Sequence, residues 1–328
     1  MIFKTVTDLN RLIANKLYLI PKNVDLVVGV PRSGMLPATI ISLYLNLPLA
    51  DIDSLVENKI YKSGITKVRN DWVKSVDECE SILIVEDSSS TGSSIKKIKQ
   101  TLNETGLLSK VIFLTIYVTD ETKHLTDIYF EICELPRMFE WNYMHHQAFL
   151  RNMCFDIDGV LCVDPKEDDN DDGERYINFI KNAEHLLRPS FTIGHIITSR
   201  LEKYRDLTKE WLDQNDIHFD QLIMMDYSSK EERIKYGNHA EFKAKHYKAL
   251  KNAEVFVESD PSQAKEIARL SGKLVYCVGN CVVYDESKRT KMTNNIKFSF
   301  KRLLKKFLPD TVIRIIKRHM SCATAFRK

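Results

Sequence analysis

The chain has 328 residues, 28% of them charged and 44% hydrophobic, which is long enough for two domains and too apolar for a disordered protein. The net charge of +3 hides an asymmetry: residues 297–318 hold eight Lys and Arg against one Asp, so the rest of the chain is mildly acidic, which argues against a nucleic-acid-binding body. The seven cysteines form no CxxC pair, the first residues are too polar for a secretory leader, and no apolar run reaches the ~18 residues of a bilayer span, so a reducing cytoplasm is expected. In chain order, apolar runs bounded by turn residues predict buried strands at 25–30, 82–85, 111–118, 153–155, 192–197, 255–257 and 274–278. Amphipathic segments at 37–45, 93–102, 203–215 and 261–270 predict helices between them. The alternation occurs twice, so the expected fold class is α/β, with two doubly wound parallel-sheet domains. The boundary is placed near Leu150, giving domains at 1–150 and 151–288, and a basic tail at 289–328. The acidic run 164–172 reads as a solvated loop.

The first chemistry-bearing segment is 82–94, ILIVEDSSSTGSS. A strand delivers the adjacent carboxylates Glu86 and Asp87, then come small hydroxyl residues and a Gly, then a helix. Small side chains let backbone N–H groups converge on a phosphate, and a helix N-terminus adds positive potential. The two acids cannot hold that phosphate and suit ribose hydroxyls or a metal-bound ligand. This segment resembles the phosphoribosyl pyrophosphate (PRPP) motif of type I phosphoribosyltransferases, with Ser93 where that family often has a second Gly. The resemblance implies that Glu86 and Asp87 contact the ribose, and that Ser88, Ser89, Ser90, Thr91, Gly92, Ser93 and Ser94 hold the 5-phosphate. Segment 27–35, VVGVPRSGM, resembles the same family's pyrophosphate loop, which would make Arg32, Ser33 and Gly34 contacts of the leaving group. The covering loop of that fold would be 58–69, with Lys62, Lys67 or Arg69 reaching the pyrophosphate. The acceptor site is expected outside the common core, where 136–147 is rich in aromatic and polar groups. Trp141 is a candidate to stack on a base or sugar, and Asp53, Glu140 and His145 are candidate bases.

The second segment, 154–162, reads CFDIDGVLC. Two carboxylates just past a strand end, Asp156 and Asp158, can divide the labour of phosphate-ester hydrolysis: one attacks phosphorus, and the other protonates the leaving oxygen and then deprotonates water. A phosphate dianion repels a carboxylate, so Mg²⁺ is expected between them. This DxDG pattern resembles motif I of the haloacid-dehalogenase-like (HAD) phosphatases, and later segments resemble the other motifs in order. By that resemblance Thr198, in IITSR, binds the phosphoryl group. Lys243, or else Lys245, steadies the phosphate and nucleophile. In VFVESD, Glu258 and Asp260 join Asp156 and the carbonyl of Asp158 as metal ligands, Asp260 ahead of Glu258. Motif spacing leaves no room for a large cap, so an open site is expected.

In the tail, Phe300, Leu303, Leu304, Phe307 and Leu308 recur at helical spacing among Lys and Arg, a pattern suited to an anionic membrane surface. The combination resembles bifunctional bacterial polysaccharide ribofuranosyltransferases. It implies transfer of 5-phosphoribose from PRPP to a glycan acceptor, lipid-linked at the cytoplasmic face, then removal of the 5-phosphate to leave a β-ribofuranosyl group. One alternative is a nucleobase phosphoribosyltransferase joined to a nucleotide phosphatase. Another is a domain that only senses PRPP, joined to a phosphatase. Fold alone does not choose among them.

Overall fold

In the computed structural model, which describes residues 1–62, 64, 69 and 71–286, the chain divides into two units between His146 and Gln147. The first unit runs β1 (Ile2–Lys4), α1 (Val6–Lys16), β2 (Leu26–Gly29), α2 (Met35–Leu45), β3 (Leu49–Asp51) and α3 (Ile52–Val56). It continues with β4 (Ile82–Ser89), α4 (Ser93–Glu104), β5 (Val111–Val118), β6 (Ile128–Ile132) and β7 (Arg137–Phe139). Five parallel strands lie in the order β3-β2-β4-β5-β6, and β1 pairs with β7 in a separate ribbon. Strand periodicity sorts the side chains onto two faces. Val27, Leu83 and Val85 pack with Ala38 and Ile41 of α2 and Leu9 and Ile13 of α1. Leu26, Val28, Ile82 and Ile84 pack with Leu55 of α3 and Ile95, Ile98 and Leu102 of α4.

The second unit runs α5 (Gln147–Leu150), β8 (Met153–Phe155), α6 (Glu174–Asn182), β9 (Ile193–Leu201), α7 (Arg205–Gln214) and β10 (Phe219–Met225). It continues with α8 (Lys230–Tyr236), α9 (His239–Ala249), β11 (Val255–Glu258), α10 (Pro261–Ser271), β12 (Leu274–Cys277) and β13 (Val282–Tyr284). Its six strands lie in the order β10-β9-β8-β11-β12-β13, all parallel except the β12–β13 pair. On one face α9 and α10 supply Ala240, Ala244, Tyr247, Ala264, Ile267 and Ala268 against Cys154, Ile197, Phe256 and Val275.

Both sheets reverse their winding once. From β2 the chain steps to β3 on one side, whereas from β4 it steps to β5 and β6 on the other. In the second unit β8 leads to β9 and β10 on one side, and β11 leads to β12 on the other. Ligands of open α/β sheets bind at such switch points, in the crevice beyond the carboxyl ends of the strands. The crevices here lie between β2 and β4, and between β8 and β11.

The expected strands and helices are present, with two extensions that matter. β4 continues through Ser88 and Ser89, which pair with Tyr117 and Val118 of β5. β9 continues to Leu201, carrying Thr198, Ser199 and Arg200 within the strand. The elements that sequence patterning missed are short or lack a clean apolar stripe. β6 is an edge strand with Tyr129 and Ile132 exposed. The buried face of α9 contains a lysine, Lys243, between Ala240 and Tyr247. No helix among the described residues is long and apolar enough to cross a membrane, and the basic tail lies outside the described residues.

Gly34 shows how tightly the first crevice is built. A Cβ there would stand 2.6 Å from the carbonyl oxygen of Val30 and 2.8 Å from that of Val85. Gly34→Ala is therefore expected to push the 30–34 loop off β4, costing roughly 1–3 kcal/mol of stability. Urea unfolding of the variant against the wild type measures this, and an unchanged midpoint would contradict the packing.

Candidate active sites at two sheet switch points

At the first crevice, β2 delivers the 30–34 loop and β4 delivers Glu86 and Asp87, side by side because β2 and β4 are hydrogen-bonded neighbours. The two acids have different surroundings. Asp87 is buried and accepts from Ser33 Oγ at 3.1 Å and from Trp141 Nε1 at 2.9 Å. Burial moves its pKa above the usual carboxylate range, and the bonds from Trp141 and Ser33 oppose that shift. Glu86 is partly exposed and accepts from Ser94 Oγ at 2.8 Å, and burial raises its pKa to about 7. Asp87 thus ties the 30–34 loop to the segment carrying Trp141, while Glu86 is the acid turned toward the helix start where a sugar phosphate would sit.

The turn after β4 begins later than the sequence implied. Ser88 and Ser89 belong to the β4 ladder, and Ser89 is buried with no partner for its hydroxyl, so neither forms part of the turn. The turn proper is Ser90, Thr91 and Gly92, leading into Ser93 and Ser94 at the first turn of α4. Gly92 has φ of +74°, and a Cβ there would lie 2.1 Å from Leu125 Cδ1, so only glycine fits. Thr91 Oγ1 and Ser93 Oγ are 2.9 Å apart. Arg32 is exposed at the crevice mouth.

The acceptor candidates separate. Glu140 accepts from the Val6 amide at 2.5 Å, at the start of α1, so it serves as a structural cap. Trp141 is half-buried, its ring stacks on Phe139 with centres 4.7 Å apart, and its N–H donates to Asp87. His145 is exposed on the short helical turn after it. Asp53, on α3, instead faces a cavity of about 560 Å³ whose wall includes Pro31 and Ser94, the latter being the Glu86 partner. Apolar walls come from Val30, Ile52, Val56 and Ile98. In the covering segment Arg69 pairs with Asp71, and Lys67 lies outside the described residues.

At the second crevice Asp156 follows β8 and Glu258 ends β11. The register Phe155↔Val257 places them level with each other. From α9, Lys243 reaches between them, donating to Asp156 Oδ2 at 2.5 Å, Glu258 Oε2 at 2.7 Å and Gln263 Oε1 at 3.1 Å. Burial raises the pKa of Asp156, and the Lys243 ammonium opposes that shift. Lys245 is exposed. An ammonium has three donors, and all three are engaged within the protein.

Asp158 is paired with a cation. Arg200, fully buried, holds it through Nη2 at 2.6 Å and Nε at 3.1 Å. Arg200 was missed as a partner because its pairing spans 42 residues. Its one sign in the sequence was an arginine directly after the Thr198-Ser199 pair at a strand end. Thr198 is buried and accepts from the Arg200 amide at 3.3 Å. Asp260 caps α10, accepting from the Gln263 amide at 2.7 Å. Asp156, Asp158, Thr198, Lys243, Glu258 and Asp260 all line one cavity of about 340 Å³. It is narrowed by Asp164, Pro165, Asn170 and Tyr176, which come from the segment between β8 and β9.

Five carboxylates line this cavity, so the donor chemistry fits a hard divalent cation such as Mg²⁺. Among the described residues no group of three or more His, Cys, Asp or Glu can hold a metal ion by itself.

The family model described as "Phosphoribosyl transferase domain" matches residues 2–148. The first unit carries a phosphoribosyltransferase domain. No curated protein matches the chain. Among solved structures, the purine phosphoribosyltransferase from Pyrococcus horikoshii Ot3 is 20% identical, with 43% of this chain and 92% of that chain covered and a TM-score of 0.31. The xanthine-guanine-hypoxanthine phosphoribosyltransferase of Helicobacter pylori is 14% identical over 43% of this chain and 92% of its own, with a TM-score of 0.32. A Pnkp1/Rnl/Hen1 complex is 13% identical over 84% of this chain and 94% of its own, with a TM-score of 0.28.

The pKa of Glu86 ties the phosphoribosyltransferase crevice to pH. Below about pH 4.5 its carboxyl is neutral in both the folded and unfolded chain. Between there and about 7 only the unfolded chain ionises, so stability falls as pH rises and levels off above 7. Glu86→Gln should remove this loss, making the variant the more stable protein at pH 8 by on the order of 2 kcal/mol. Denaturant titrations at pH 5 and pH 8 test it, and equal pH slopes for the two proteins would refute it.

Proposed function

We propose that the chain transfers 5-phosphoribose from PRPP to a hydroxyl of a glycan acceptor and then removes the 5-phosphate, leaving a β-ribofuranosyl group. The observation that carries the first step is the crevice between β2 and β4, within the matched domain. There a small-residue turn and a helix start stand beside the partly exposed acid Glu86. In this reading Glu86 accepts from the ribose hydroxyls, and the 90–94 turn holds the 5-phosphate. The 30–34 loop with Arg32 takes the pyrophosphate. The acceptor oxygen bonds to C1 as the C1–pyrophosphate bond breaks. A hydroxyl must lose its proton as it attacks, and in this reading Asp53, which lines the adjoining cavity, takes it.

The second unit reads best as a HAD-like phosphomonoesterase. Asp156 attacks phosphorus and the bond to the sugar oxygen breaks. Water then attacks the aspartyl phosphate, releasing inorganic phosphate and restoring the carboxylate. Lys243 orients Asp156, Thr198 takes a phosphoryl oxygen, and Asp158, aimed by Arg200, handles the proton. Bound Mg²⁺ would offset the repulsion between carboxylate and phosphate, held by Asp156, the Asp158 carbonyl and the 258–260 acids.

Incubation with PRPP, Mg²⁺ and either short glycans or free nucleobases, read by mass, tests the scheme. Asp156→Asn should accumulate a phosphoribosylated glycan. Glu86→Gln with Asp87→Asn should abolish transfer while sparing hydrolysis of a generic phosphate ester. Unphosphorylated product from Asp156→Asn would remove the hydrolytic step, and products formed only on nucleobases would replace the glycan with the nucleotide reading.

In the same proposal the basic tail seats the enzyme on the inner face of the cytoplasmic membrane, beside a lipid-linked acceptor. The full-length protein should sediment with anionic vesicles, and a chain ending at residue 288 should not. Equal recovery of both in the supernatant would end this part.

A further inference from the structure

The second cavity contains a cation that the scheme above leaves without a role. Arg233, on α8, lines it together with Ser199. Each is only 9% exposed. Arg233 Nη1 donates to the Ser199 carbonyl oxygen at 3.0 Å. Its Nε is buried with no hydrogen-bond partner, and so is Ser199 Oγ. The cavity's ion pairs are Arg200 with Asp158, and Lys243 with Asp156 and Glu258; among the described residues Arg233 has no carboxylate partner. His239 adds no further positive charge, because burial and the charges of Arg233 and Lys243 hold its pKa down to about 4.

A guanidinium taken out of water without an anion is costly, and leaving its N–H groups unpaired adds to the cost. The complement that removes both costs is an oxyanion, for which the guanidinium fork is suited. Lys243 cannot serve, since Asp156, Glu258 and Gln263 occupy all its donors. Arg200 has its Nε and Nη2 on Asp158.

We propose that Arg233 and the Ser199 hydroxyl form the position that holds the oxygens of the substrate's phosphate. This rests on the reading of the second unit as a phosphomonoesterase. It moves the phosphate-binding role from the motif lysine to an arginine on a short helix that no motif reading singled out. The Ser199 hydroxyl and Arg233 Nε donate to oxygens of the same phosphoryl group.

The test uses the full chain with Mg²⁺ and inorganic phosphate as the probe, followed by calorimetry, with thermal unfolding as the control for folding. Arg233→Gln should weaken phosphate binding about tenfold or more, Arg233→Lys by less, and Ser199→Ala by a few-fold. KM for a phosphomonoester should rise in parallel. A folded Arg233→Gln with wild-type phosphate affinity would overturn the proposal. Should that variant not fold, wild-type affinity in both Arg233→Lys and Ser199→Ala would overturn it equally. Arg233-dependent phosphate binding in a protein that hydrolyses no phosphomonoester would uphold the position and remove the phosphatase reading. Asp156-dependent hydrolysis with phosphate binding and KM indifferent to Arg233 would do the reverse.

Discussion

Two pairs of parallel strands lead their chains in opposite directions at their carboxyl ends, and the gaps so opened are where this protein gathers its acids. β2 and β4 part over Glu86 and Asp87, and β8 and β11 part over Asp156 and Glu258. A crossover helix cannot cover a switch point from both sides, so the carboxylates there remain within reach of a ligand. They are nonetheless partly withdrawn from water, and burial raises the pKa of Glu86, Asp87 and Asp156 alike. Each site is therefore poised to gain when a ligand or cation arrives to satisfy the charge.

The two crevices meet that constraint differently. In the first, neutral donors are used: Ser33 and Trp141 on Asp87, and Ser94 on Glu86. This leaves the acids able to take protons or sugar hydroxyls, and it makes Asp87 a tie between two loops rather than a pure ligand group. In the second, a buried ammonium bridges two carboxylates and a buried guanidinium grips a third. Removing one partner from such a network would leave an uncompensated buried charge, which costs far more than a surface pair is worth. The network fixes the Asp156 carboxylate, and Tyr176, Arg233 and His239 complete the wall of the cavity.

That division explains why the cavity of the second unit is not simply acidic. Lys243 and Arg200 offset three of its carboxylates, Asp156, Glu258 and Asp158, whereas among the described residues Arg233 pairs with none.

Much was legible from local pattern. Hydrophobic runs gave the central strands, because a strand buried on both faces must be apolar throughout. Adjacent acids at strand ends marked both crevices, since the acids of Glu86-Asp87 and of the DxDG segment are neighbours in sequence. Edge strands such as β6 and the mixed stripe of α9 escaped, because a half-exposed strand and a lysine-bearing core face carry no clean period. What only the tertiary structure decided were the partners brought from far along the chain. Examples are Arg200 on Asp158, Trp141 on Asp87, Lys243 between Asp156 and Glu258, and Glu140 capping α1. Composition and spacing state which groups are present. Whether a given carboxylate is free, bridged or used as a cap depends on which side chain folding delivers within hydrogen-bond distance of it, and that distance is set by sheet order and helix packing.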